Sequence, residues 1–119
     1  MAKILVADDD GVQRELMQRA LLADGHSVVA VEDGIEALQR LSSDSFDLLV
    51  SDLDMPGLDG MALAARVAPV MPKLKVLLVS GLGDELKRAA GFPGDRVSTL
   101  AKPFTLEQIR MAVRKRLAA

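Results

Sequence analysis

The chain repeats one unit five times: a short apolar run, a turn, then helical periodicity. The runs are KILVA at residues 3–7, SVVAV at 27–31, DLLVS at 47–51, KVLLVS at 75–80 and VSTLA at 97–101. After the first, Val12, Leu16, Met17, Ala20 and Leu21 recur at helical spacing as far as Gly25. Residues 34–41 predict a helix with Ile35, Leu38 and Leu41 inward. Residues 60–70 predict another, with Met61, Leu63, Ala64 and Val67 available to a core. A short helix is predicted at 84–90 and a last one at 105–117, with Leu106, Ile109, Val113 and Leu117 on one face. The first, third and fourth runs are apolar without alternation, as strands read when helices cover both faces. Parallel strands need crossover helices, and those crossovers are right-handed. The expected fold is therefore α/β, a (βα)5 doubly wound parallel five-stranded sheet in the order 2-1-3-4-5.

A chain of 119 residues suits one domain, so a single domain over residues 1–119 without an effector domain is expected. Half the residues are hydrophobic, but there are three Phe and no Tyr or Trp, so the core must be mostly aliphatic. A net charge of −2 gives no electrostatic reason to expect nucleic acid or an anionic membrane as partner. The absence of cysteine excludes disulfides, thiolate metal sites and cysteine nucleophiles. The opening MAKILVADDD has too short an apolar run for a signal peptide and ends in three acids. No apolar stretch approaches the roughly 20 residues that span a bilayer. These features predict a soluble, cytoplasmic monomer.

Sheets of this order bind ligands beyond the carboxyl ends of the strands, at the switch point between strands 1 and 3. The first strand delivers Asp8 and Asp9 there, the third Asp52, the fourth Ser80 and the fifth Lys102. The second ends in Glu32 and Asp33, outside the crevice. Two like charges 4 Å apart repel by about 4 kcal/mol at an effective dielectric near 20. Three carboxylates together therefore call for a cation, and an all-oxygen ligand set suits a hard ion, Mg²⁺ above all. Such an ion neutralises charge on an incoming phosphoryl group. Asp52 can then act as nucleophile, Lys102 as a point charge on the phosphoryl oxygens, and Ser80 as a hydrogen-bond donor to one of them.

Four segments in this order, ILVADDD, LLVSDLDMPGLDG, VLLVSG and LAKPF, resemble the receiver domain of bacterial two-component response regulators, the CheY-like superfamily. The resemblance covers residues 3–104 and implies the flavodoxin-like fold already expected. It implies Asp52 as phosphoacceptor, loaded by a histidine kinase or histidine phosphotransferase. It implies Asp9 as the main Mg²⁺ ligand, Asp8 as a ligand through water, and the backbone carbonyl of Asp54 as a further ligand. Ser80 and Lys102 would contact the phosphoryl group, and the Lys102–Pro103 bond is often cis in the family. The output would be read by a protein partner on the face formed by the 84–90 helix, the fifth strand and the last helix. Beyond self-phosphorylation and autodephosphorylation, no enzymatic activity is implied. LLADGHSVVAVEDGIEAL and AKPFTLEQIRMAVRKRL also resemble single-domain regulators of the CpdR type, which act in regulated proteolysis and the cell cycle, and the receivers of hybrid histidine kinases.

Other residues carry plainer readings. Asp10, three residues before Gln13, fits a helix cap with a capping box, and Asp59 before Gly60 a second cap. His26, the only histidine, reads as a surface residue, and Arg110, Arg114, Lys115 and Arg116 as the solvated face of the last helix. The closing Leu-Ala-Ala reads as a frayed helix end in preference to a degradation tag. The family's aromatic switch position holds Thr99, and Gly81 follows the hydroxyl. Four Gly and one Pro in residues 81–95 predict a short or mobile fourth helix. A rival reading takes Asp52-Leu53-Asp54 as the Asp-x-Asp core of a haloacid-dehalogenase-type phosphatase. That motif normally follows a first strand, not a third.

Overall fold

The fold was obtained as a computed structural model that describes residues 1–81 and 97–119. The predicted helix at 84–90 and its expected mobility lie outside the described residues. Nine elements are described: β1 (Lys3–Ala7), α1 (Gly11–Ala23), β2 (Ser27–Val31), α2 (Gly34–Ser43), β3 (Leu48–Asp52), α3 (Gly60–Val67), β4 (Lys75–Ser80), β5 (Val97–Ala101) and α4 (Leu106–Ala118). The five strands form one parallel sheet in the order β2-β1-β3-β4-β5, as the apolar runs predict.

Alternate strand residues serve two cores. Ile4, Val6, Leu48, Val50, Leu77 and Val79 pack with Met17, Ala20 and Leu21 of α1 and Ile109 and Val113 of α4. Leu5, Ala7, Leu49, Val76 and Leu78 pack with Ala37 and Leu41 of α2 and Leu63, Ala64 and Val67 of α3. Both faces of β1, β3 and β4 are thus covered, which is why their sequences do not alternate.

Three helices begin on an aspartate cap. Asp10 accepts from Val12 and Gln13 N–H, Asp33 from Glu36 N–H and Asp59 from Ala62 N–H. The capping box expected at Asp10 does not form: its own N–H goes to Asp8 Oδ1 at 3.0 Å. α3 ends at Val67, short of residue 70, because Pro69 has no N–H to continue the ladder. Val12 is 72% exposed and Ile35 55%, and Leu16 and Leu106 are also exposed, so the inward stripes are narrower than the periodicity suggests. Ile35 covers the turn at Gly57 rather than the core: a Cβ built on Gly57 would lie 3.4 Å from Ile35 Cδ1.

His26 is not a surface residue. Its side chain is 9% exposed, and Nδ1 accepts the Ala2 N–H at 3.1 Å. Nor is the basic run simply solvated. Arg110 Nε donates to Ala20 O at 3.2 Å, Arg114 pairs through two nitrogens with Asp24, and Arg116 is buried. The end of α4 is held as well, since Lys75 Nζ donates to Leu117 O at 2.7 Å and Ala119 O at 2.6 Å. Among the described residues no helix is long and apolar enough to cross a membrane.

Candidate functional site

Strand register assembles the site. Ala7 is paired with Ser51, so Asp8 and Asp52 leave the sheet side by side. Asp52 is level with Val79, one residue before Ser80, and Ser80 is level with Ala101, one residue before Lys102. β3 runs one residue further than predicted and takes in Asp52 as its last member. Backbone bonds fix each exit: Asp8 N–H to Val31 O at 3.2 Å, Leu53 N–H to Val79 O at 3.0 Å and Lys102 N–H to Ser80 O at 3.0 Å.

The structure brings Asp8, Asp9 and Asp52 together, with one carboxylate oxygen from each lying within 4.8 Å of the others. Asp8 and Asp52 are buried, and Asp9 is exposed at the mouth. Lys102 Nζ donates to Asp52 Oδ2 at 3.1 Å and lies 3.8 Å from Asp8 Oδ2. Asp52 Oδ1 accepts the Asp54 N–H at 3.2 Å, which turns the chain sharply after β3. Ser80 is buried at the end of β4. The Lys102–Pro103 bond is cis. Asp54 and Thr99 are exposed, and the Asp54 carboxylate is not part of the cluster. An Asp-x-Asp reading of Asp52 and Asp54 therefore has no paired side chains to rest on.

Burial raises the Asp8 carboxyl from 3.8 to about 6; the Asp10 N–H and Lys102 oppose the shift, and the Asp52 and Asp9 charges add to it. Asp8 Oδ2 is buried and has no hydrogen-bond partner among the described residues. An orphaned carboxylate oxygen next to two further carboxylates is a donor set that a hard dication satisfies, so the residues present fit Mg²⁺.

Three contributors escaped the sequence reading: Arg14, Gly34 and Gly60. Arg14 Nη1 donates to the Asp8 carbonyl at 2.8 Å and so braces the turn that carries Asp8 and Asp9. Its place on the inner side of the first helix turn was the only available signal. Gly34 and Gly60 pack against the loop after β3, and each directly follows a capping aspartate.

Comparison with known proteins agrees with this geometry. Residues 4–114 match the family model described as the response regulator receiver domain. The response regulator MprA of Mycobacterium avium is 37% identical over 112 residues, covering 94% of this chain and 49% of that protein. The chain thus spans about half the length of the curated relatives it matches. Among solved structures, a putative response regulator of Chloroflexus aurantiacus superposes with a TM-score of 0.88 at 32% identity, covering 99% of this chain and 98% of that one. The response regulator TrrA of Thermotoga maritima, solved in complex with Mg²⁺-BeF, gives 0.87 at 28% identity, covering 97% and 98%. With a family match over nearly its whole length, a CheY-like sheet and an acidic cluster at the switch point, the chain belongs to the response regulator receiver domains of two-component signalling.

Proposed function

We propose that Asp52 is the phosphoacceptor of this receiver. The observation that carries the reading is the convergence of Asp8, Asp9 and Asp52 within 4.8 Å, with Lys102 Nζ 3.1 Å from Asp52 Oδ2. A carboxylate oxygen of Asp52 attacks the phosphorus of a phosphohistidine on a histidine kinase or phosphotransferase. The P–N bond breaks as the P–O bond forms, and the departing imidazole takes its proton from solvent. Asp9 and Asp52 would hold Mg²⁺ directly, Asp8 through water, and Asp54 by its backbone carbonyl. When bound, that ion neutralises charge on the transferring phosphoryl group. Lys102 gives up its bond to Asp52 Oδ2 and pairs with a phosphoryl oxygen, and the Ser80 hydroxyl donates to another.

Ser80 and Lys102 end the two strands nearest α4, so a change at the phosphate reaches the β5–α4 side of the molecule first. A protein partner reads that side by a shift between two populations. Regulated proteolysis or cell-cycle control, a cytoplasmic location and a monomeric state go with this reading through the family resemblance. Intact mass gives the test. With Mg²⁺ and a small phosphodonor the protein gains one phosphoryl group, and Asp52→Ala gains none. Absence of an adduct, together with failure to bind beryllofluoride, overturns the assignment.

A further inference from the structure

Three described helices open on the same dipeptide, a capping aspartate followed by glycine: Asp10–Gly11, Asp33–Gly34 and Asp59–Gly60. The cap needs the aspartate but not the glycine, which is a poor residue inside a helix. At Gly11 the glycine is spatially dispensable, because a Cβ there would come no closer than 3.5 Å to the Arg14 side chain, an ordinary van der Waals contact. The other two positions are different. A Cβ on Gly34 would lie 1.9 Å from the carbonyl oxygen of Leu58, and one on Gly60 would lie 2.4 Å from the carbonyl oxygen of Asp52 and 3.0 Å from Leu53 Cα. These neighbours are backbone, so relief requires the loop itself to move.

That loop, residues 53–59, is clamped at both sides. At its neck the Gly60 N–H donates to Leu53 O at 3.1 Å, and Leu53 N–H donates to Val79 O of the neighbouring strand at 3.0 Å. On the far side the Leu58 carbonyl rests on Gly34. Leu53, Met55 and Leu58 are buried, and Leu58 N–H closes on Pro56 O at 3.0 Å across Gly57, whose φ of +79° requires glycine. Asp54 lies between the neck and this turn, with no packed side chain of its own to fix it.

We propose that Gly34 and Gly60 are positioning residues for cation binding. Their missing Cβ atoms let α2 and α3 close on the loop and so set where the Asp54 carbonyl stands relative to Asp8, Asp9 and Asp52. The inference rests on the reading that this carbonyl and those carboxylates form the Mg²⁺ site.

The test is calorimetric titration of the metal-free protein with Mg²⁺, together with the amide resonances of Leu53 and Asp54 by NMR. Gly34→Ala weakens Mg²⁺ about tenfold, in the range seen when outer-shell supports of metal sites are removed, and shifts the Asp54 amide before any metal is added. Gly60→Ala acts in the same direction and serves as the second variant, with melting curves showing each protein folded at the titration temperature. Leu41→Ala, buried toward the far end of α2, lowers the melting temperature but keeps Mg²⁺ affinity within about twofold. Equal affinity in wild type and Gly34→Ala, or equal weakening in Leu41→Ala, overturns the inference and leaves the site reading intact. A wild type that binds no Mg²⁺, or binding that survives Asp9→Asn unchanged, overturns the site reading and the inference with it.

Discussion

Lys102, just past the end of β5, reaches across the end of β4 to Asp52 at the end of β3, with Nζ 3.1 Å from Oδ2. This ammonium is the only described cation within 4.0 Å of the cluster carboxylates, so a dication binding there competes with it for their charge. Lys102→Met therefore separates two effects. Mg²⁺ binding tightens by about threefold to tenfold, because a competing charge is gone. Phosphoryl incorporation from a small donor slows by about tenfold or more, because a point charge on the phosphoryl oxygens is lost. Calorimetry and timed intact-mass measurements read the two separately. Weaker Mg²⁺ binding in the variant would show that the ammonium builds the site instead of competing for it.

Asp8 makes the metal-free fold pH-sensitive. Its carboxyl is raised to about 6 against 3.8 for an ordinary aspartate, chiefly by burial. A raised folded pKa means that the native state binds the proton more tightly than the unfolded state. The contribution is thus full below about pH 3.8 and is lost as pH rises through 6. Asp8→Asn keeps an acceptor for the Asp10 N–H at 3.0 Å and removes the buried charge. In chelator-treated protein the variant melts higher than wild type at pH 8, by on the order of 5 °C, and the gap closes toward pH 4. A gap that is the same at both pH values would assign the effect to packing.

Most of the frame was readable because it depends on local pattern. Unbroken apolar runs marked doubly covered strands, and the ends of those runs pointed to Asp8, Asp52 and Lys102 just after them and Ser80 as the last residue of its own. What escaped depends on which distant segment arrives where. His26 looked exposed after Gly25, but the backbone N–H of Ala2, 24 residues earlier, finds its Nδ1. Ile35 fits an inward stripe, yet the loop at Gly57 takes it. Arg110 and Arg114 have the spacing of a solvated face and instead tie α4 to the end of α1 through Ala20 and Asp24, 90 residues away in the chain. Helical spacing names a stripe; neighbours decide how much of it is covered.

The Arg114–Asp24 pair supplies an acid-sensitive contact remote from the site. Hydrogen bonding to Arg114 is the main cause that lowers the Asp24 carboxyl below its ordinary 3.8. A depressed pKa contributes stability above the unfolded value, and that stability disappears as pH falls through the folded value. Arg114→Ala is therefore less stable than wild type at pH 7, and the two converge below about pH 3.8. Urea denaturation at a series of pH values reads the convergence. A constant difference down to pH 3 would place the contribution of Arg114 in its aliphatic contacts. Added salt gives an independent check, since it narrows the difference at pH 7 only if the interaction is between charges.

Thr105 opens α4 with a full capping box: its hydroxyl accepts the Gln108 N–H at 3.0 Å, and Gln108 Oε1 accepts the Thr105 N–H at 2.8 Å. Both bonds lie three residues beyond Lys102, so the box also anchors the chain that leaves the site. Thr105→Ala leaves the Gln108 N–H without its side-chain acceptor and lowers stability by about 1 kcal/mol, the usual value for such a cap. Gln108→Ala removes the reciprocal bond and costs a similar or smaller amount. The double variant loses less than the sum of the two, because each bond helps to hold the geometry of the other. Equilibrium denaturation of the four proteins closes this cycle. Strict additivity would mean that the two bonds form independently. If stability falls while Mg²⁺ titration is unchanged, the box belongs to the helix; a parallel loss of Mg²⁺ affinity would mean that the start of α4 also holds Lys102 in place.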